Sequence, residues 1–325
     1  MNLLRALQHA VLVPDTSETL LETRGFHVKN AGARELLERI GATFLAGYRF
    51  ALDARDPADA RAPLEALPER FRGFAYEGAG MGFAVLDALP VGRSDRVARF
   101  LQGAGAPHVY MVYVGVGWAM ARVPRFTWSR LHAPDPLLRW LVLDGYGFHQ
   151  AYFKTARFVH QQEVEPGFPW PRDDRTGYAR QAIDQGIGRA IWFVGGTAPD
   201  VVADLIDAFP RARRGDLYSG AGLAATYAGG VDEAELTRFR ERAGEHRPAV
   251  AQAAAFAAEA RVRAGLLGPH TELAARVLAG TDAVSAAQLT QQVRPAHPVD
   301  GELPAFEQWR REIAQAFVTM GRSQS

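Results

Sequence analysis

Glycines two residues apart recur in five stretches that otherwise read as helix-forming or apolar. They are Gly78 with Gly80, Gly115 with Gly117, Gly145 with Gly147, Gly186 with Gly188, and Gly220 with Gly222. A glycine inside a helix costs about 1 kcal/mol relative to alanine, so its repeated use implies a steric reason. Two readings fit. Small faces such as Gly78 with Gly82, or Gly220 with Ala224, let helix backbones approach closely; alternatively, the glycines thin the wall of a cavity that holds a bulky ligand. A phosphate-cradling loop lacks its context, because no strand precedes these glycines and no Gly-Lys-Ser/Thr follows them.

The rest of the chain carries helical punctuation. Leu36, Leu37, Ile40, Phe44 and Leu45 make one apolar stripe within 33–52. Asp135-Pro136 and Pro199-Asp200 open further helices, the second stopping near Pro210, and 251–263 is almost pure helix former. The β-branched run 109–116 suits a strand as well as a helix. An internal match decides for helix. Residues 64–84 set against 206–226 share Ala66, Pro68, Arg72, Gly73, Tyr76, Gly78, Ala79 and Gly80 with Ala208, Pro210, Arg214, Gly215, Tyr218, Gly220, Ala221 and Gly222. Weaker matches continue from Arg99 against Arg238 to Gly145 against Gly280, and they pair 109–123 with the alanine-rich 249–263. The expected fold is therefore all-α, with two pseudo-symmetric halves around a central apolar cavity. The expected organisation is an N-terminal segment (1–40), unit one (41–145), a joining segment (146–182), unit two (183–280) and a C-terminal helical cap (281–325).

Composition narrows the function classes. There is no cysteine among the 325 residues, which excludes disulfides, thiolate metal sites and thiol chemistry. The formal net charge of +1 provides no global field for nucleic acid or anionic membrane. The N-terminus lacks the ordered features of an export signal, and the longest apolar run, 109–121, is shorter than the about 20 residues a bilayer requires. The expectation is a cytoplasmic protein without a membrane span or nucleic-acid partner.

No metalloprotease, nucleophile-elbow or kinase motif is present. His149 lies in the joining segment that the internal match does not repeat, and on a helix it shares a stripe with Tyr152 or Phe153, Ala156 and His160. It is the candidate acid or base near neutral pH, against a hydrogen-bonded structural histidine. His149 and His160 lie about 16 Å apart on a helix, too far to share a metal, and no dense ligand cluster supports one. Glu77, Asp144 and Asp184 each stand close before paired glycines; either they cap helix starts or they enter a dry pocket where a raised pKa suits proton transfer. Arg189 is a candidate partner for such a carboxylate. Asp173-Asp174 lacks the third carboxylate of a diphosphate–metal motif, and Arg211, Arg213 and Arg214 read as a solvated helix end.

The run from Arg72 through Tyr76-Glu77-Gly78-Ala79-Gly80, the segment Asp144-Gly-Tyr-Gly-Phe-His149, the segment from Gly188 to Phe193, and the run from Arg214 through Tyr218-Ser219-Gly220 together resemble one family. These are the UnbL-like proteins, a bacterial family of unassigned function encoded beside iterative polyketide synthases in enediyne clusters. The likeness spans about Gly25 to Phe317. It implies a role in processing a conjugated, hydrophobic polyene, with a polyketide synthase or other pathway proteins as partners, and it supplies no catalytic residues.

Three functions follow as expectations. The first is a cyclase, isomerase or lyase without cofactor, in which His149, Glu77, Asp144 and Asp184 move protons and Arg189 orients or stabilises charge. Tyr76, Phe83, Trp118, Phe148, Tyr152, Trp192 and Tyr218 would hold the substrate. The second is a carrier that shields a reactive polyene. The third is an isoprenoid cyclase-like enzyme, which the missing aspartate motifs disfavour.

Overall fold

Every regular element is helical and no strand occurs among the residues that the computed structural model describes, 15–90 and 94–323. The protein is all-α. The first part of the N-terminal stretch read for an export signal, 1–14, and the final residues of the C-terminal cap, 324–325, lie outside the described residues. Nine helices among those described carry the architecture: α1 (Ala31–Asp53), α2 (Glu69–Ala88), α3 (Val109–Met120), α4 (Trp140–Phe153), α5 (Ala179–Val194), α6 (Arg211–Ala228), α7 (Arg247–Arg263), α8 (Ala283–Gln292) and α9 (Ala305–Ser323). The run 109–116 is helix. The helix expected to open at Asp135 begins at Trp140, because the Asp135 carboxylate accepts from the backbone N–H groups of Leu137 and Leu138 and holds a turn there. Residues 40 and 41 share α1, 145 and 146 share α4, and 182 and 183 share α5, so three of the expected unit boundaries fall inside helices.

From α1 to α8 each helix packs against the next, and the paired glycines set how closely. Residues two apart on a helix lie about 200° round its axis, so the two glycines of a pair face opposite neighbours. On α2, a Cβ at Gly78 would overlap the Phe44 carbonyl oxygen of α1, whereas Gly80 lies against Val112 of α3. On α3, Gly115 lies against the Glu77 carbonyl of α2 and Gly117 against the Val142 carbonyl of α4. Gly145 and Gly147 of α4 meet Val114 and Ile183. Gly186 and Gly188 of α5 meet Asp144 and Leu217, and Gly220 and Gly222 of α6 meet Gln185 and Val250. The small-face reading of Gly78 with Gly82 also holds, since both face α1.

The row of helices curls so that α6 and α7 return against α2 and α3. Phe74 meets Tyr227 edge-on at 5.1 Å, Arg261 donates to the Arg70 carbonyl at 2.9 Å, and the Tyr110 hydroxyl donates to Glu259 at 3.3 Å. Asn30 caps α1 by accepting from Ala33 N–H. Arg24 donates to the Tyr152 and Phe153 carbonyls at the end of α4. α9 is anchored by the buried Arg310, which donates to Tyr178, Glu307, Ser219 and Gln252.

The residues of the internal match perform parallel tasks. Pro68 and Pro210 precede α2 and α6 as their N-caps. Tyr76 donates to Glu65 at 2.6 Å and stacks on His108; Tyr218 donates to Asp207 at 2.9 Å and stacks on His246. Arg72 and Arg214 each reach back to the carbonyl five residues earlier, at Leu67 and Phe209.

Gly117→Ala and Gly186→Ala each place a methyl group on a neighbouring helix carbonyl that cannot yield without backbone movement. Each is expected to destabilise the protein by about 3 kcal/mol or more. Gly32→Ala, in the exposed first turn of α1 with only Asn30 Oδ1 nearby, is expected to be neutral or slightly stabilising. Chemical denaturation of the three variants checks the contrast.

Candidate functional site

On α2 to α4 the position just before the first glycine of the pair, and on α2 to α6 the position four further on, project to one side of the row. Glu77 and Met81 of α2, Val114 and Trp118 of α3, Asp144 and Phe148 of α4, Arg189 of α5 and Leu223 of α6 all line one cavity. α1 adds Phe44, α7 adds Ala257, and α9 adds Phe306 and Trp309. About 110 Å³ of it is open to the centre of a water-sized sphere, far more than the ~10–15 Å³ that one water needs. Its wall is overwhelmingly apolar and rich in aromatic rings.

Five charged residues interrupt that wall: the exposed Arg122, Glu259, which accepts from Tyr110 and Gln291, and a cluster of three, Glu77, Asp144 and Arg189. The Arg189 guanidinium reaches Asp144 through Nη1 in a close ion pair and stands 3.6 Å from Glu77 Oε1 through Nη2. It also lies 5.1 Å over the Phe148 ring. Glu77 Oε1 accepts from the Trp118 indole N–H at 3.0 Å. All three residues of the cluster are buried mid-helix, so Glu77 and Asp144 are not the helix caps that were one reading of them. Burial pushes the Glu77 carboxyl up to about 7, with Arg189 and Trp118 opposing and Asp144 adding to the rise. Burial likewise raises Asp144 against the pull of Arg189. Burial alone would lower Arg189, but Asp144 and Glu77 together hold it above its ordinary value. The arrangement is a fixed cation, one tightly paired carboxylate, and one carboxyl able to exchange a proton near neutral pH.

The other expected site residues sit elsewhere. His149 does not line the cavity; it lies behind Phe148, edge-on to Trp118 at 5.6 Å and against Phe153. Burial, helped by the charges of Arg122 and Lys154, drops its pKa to about 3, so it stays neutral, and its Nδ1 has no partner among the described residues. The stripe expected to join it to His160 ends, because α4 stops at Phe153 and 156–160 is a separate turn with His160 exposed. Asp184 is one residue before the cavity-facing stripe of α5 and pairs instead with Arg213, at 2.6 Å. Arg213 is therefore buried rather than part of a solvated helix end. Tyr76 and Tyr218 are occupied by their carboxylates and histidines away from the cavity. Phe83 packs on Phe100, and Trp192 donates to the Gly229 carbonyl beside Phe239. Trp118, Phe148 and Tyr152 do line the cavity.

Sequence reasoning missed Phe74, Phe193 and Tyr227. Their signal is the same stripe carried on at three- and four-residue spacing: Phe74 before Glu77, Phe193 after Arg189, and Tyr227 after Leu223. No group of three or more His, Asp or Glu side chains among the described residues is placed to hold a metal ion, and no described helix is long and apolar enough to cross a membrane.

His149, His108 and His270 are all held low by burial, at about 3, 4 and 4. The unfolded chain takes up their protons below about pH 6.5 and the folded chain only near 4 or lower. Stability present above pH 6.5 is therefore lost as pH falls toward 4. Glu77, raised from 4.5 to about 7, acts oppositely and costs stability as pH climbs through that interval. The melting temperature of His149→Phe, followed from pH 7 to 4, is expected to fall less steeply than that of the unaltered protein.

A family model described as "Protein of unknown function (DUF1702)" matches residues 3–317. No curated protein and no solved structure matches the chain.

Proposed function

The chain belongs to the DUF1702 family, whose function is unknown, and we propose that it binds an apolar, unsaturated small molecule in its cavity and moves a proton on it. Glu77 is the proton carrier. Arg189 and Asp144 keep its surroundings fixed, and the aromatic wall excludes the water that would otherwise compete. The observation that carries this reading is the Glu77 carboxyl, raised by burial to about 7 and set beside the Arg189–Asp144 pair in a mostly apolar, aromatic cavity. A general acid or base acts best when its pKa lies near the working pH. An isomerase or cyclase of a natural-product pathway acting on a polyene fits this chemistry, in line with the resemblance to the UnbL-like proteins. The parallel tasks of Tyr76 and Tyr218, and of Pro68 and Pro210, support reading the chain as two ancestral copies that enclose the ligand.

Indene, an apolar conjugated hydrocarbon whose C–H bond is acidified because its anion is aromatic, serves as the probe. Quenching of tryptophan fluorescence reports binding, since Trp118 and Trp309 line the cavity. Mass spectrometry of indene recovered from heavy water reports proton exchange. Exchange is expected with the unaltered protein. It should drop by about a hundredfold in Glu77→Gln with affinity nearly unchanged. Indene that binds and returns unlabelled would reduce the protein to a carrier.

A further inference from the structure

A second polar device in the cavity is left unused by that reading. Tyr227 of α6 lines the cavity, is 4% exposed, and its buried hydroxyl has no hydrogen-bond partner among the described residues. The hydroxyl sits over Gly73 of α2, where any side chain would overlap it. Gly73 is one turn before Glu77 on α2, about 6 Å along the axis and on the same face. The orphan hydroxyl and the exchangeable carboxyl thus flank the same stretch of cavity wall.

The Tyr227 ring also rests on an unusual support. The Arg261 guanidinium lies 4.0 Å from its centroid and 5.7 Å from that of Phe74. Arg261 is fully buried, donates only to the backbone carbonyls of Arg70 and Tyr227, and has no carboxylate partner among the described residues. A buried cation without a counter-ion stabilises negative charge developing nearby. A buried hydroxyl without a partner is destabilising unless a ligand completes it.

Resting on the proton-transfer reading, we propose that the ligand carries a conjugated carbonyl whose oxygen accepts a hydrogen bond from Tyr227, with Arg261 fixing the ring from behind. The substrate class is then an apolar enone or dienone rather than a bare hydrocarbon. Glu77 carboxylate takes a proton from a carbon adjacent to the conjugated system. The electron pair of that C–H bond moves through the double bonds onto the carbonyl oxygen, where the Tyr227 hydroxyl stabilises it. The proton returns from Glu77 to a different carbon, so a double bond shifts with no oxidant or reductant.

The test compares octa-3,5-dien-2-one with octa-3,5-diene, which has a methylene in place of the carbonyl, on the full chain. Tryptophan quenching gives both affinities, and infrared difference spectra give the carbonyl stretch of the bound dienone. In the unaltered protein the dienone is expected to bind about tenfold more tightly than the diene, with its stretch moved to lower frequency. Tyr227→Phe is expected to erase both the advantage and the shift while leaving diene affinity unchanged. Arg261→Lys is expected to shrink the shift with diene affinity kept; an undiminished shift would remove Arg261 from the proposal. The stretch in the unaltered protein needs no variant, so it decides even if a substitution impairs folding. Equal binding of the two probes, an unmoved stretch, or a shift that survives Tyr227→Phe overturns the carbonyl assignment and leaves the cavity reading standing. Binding of neither probe overturns both.

Discussion

Helix backbones in contact across glycine are the constraint on which the rest of this structure depends. Each helix from α2 to α6 presents one glycine to the helix before it and another to the helix after it, and at most of these crossings the opposing atom is a carbonyl oxygen. Once two faces of a helix are committed to backbone contact, the orientation of the remaining faces follows from the helical period. One of them must look into the curl of the row. On α2 to α4 the residue before the glycine pair, and on α2 to α6 the residue a turn later, fall on that face, which is why Glu77, Asp144 and Arg189 converge although they come from three helices.

Such convergence is expensive. A buried guanidinium loses several kcal/mol of hydration, recovered only when its partners are well placed. Here the partners are unequal. Asp144 makes the close contact and Glu77 stands off at 3.6 Å, sharing its oxygen with the Trp118 indole. The inequality separates a structural carboxylate from one whose charge state is open to change. The buried histidines work differently: His108 and His149 are packed against aromatic rings, held neutral by burial, and tied to the stability of the fold.

Much of the fold was legible in the chain because helix signals are local. The apolar stripe of α1, the proline that starts Pro199–Asp207 and the alanine-rich α7 all appear where their residues predict them. The site was legible only in part. Glu77, Asp144 and Arg189 stood out through their place beside the glycines. His149 drew attention as a titratable ring in an unrepeated segment, yet a rotation of one residue, about 100°, separates it from the cavity-facing Phe148. Asp184 failed for the same reason, one residue out of step with the stripe that carries Arg189 and Phe193. Tyr227 was invisible because nothing in its local sequence shows that its hydroxyl would be left without a partner.

By itself, the amino-acid order determined that this chain is helical and that paired glycines, with carboxylates close before three of the pairs, recur along its helices. Those properties follow from residue type and from spacing over a turn or two. Tertiary structure alone decided which carboxylate meets Arg189 closely and which stands off, that Asp184 belongs to Arg213, and that Arg261 lies under the Tyr227 ring. Each of those depends on the angular setting of helices distant in the chain, and a difference of one residue in that setting changes what a side chain faces.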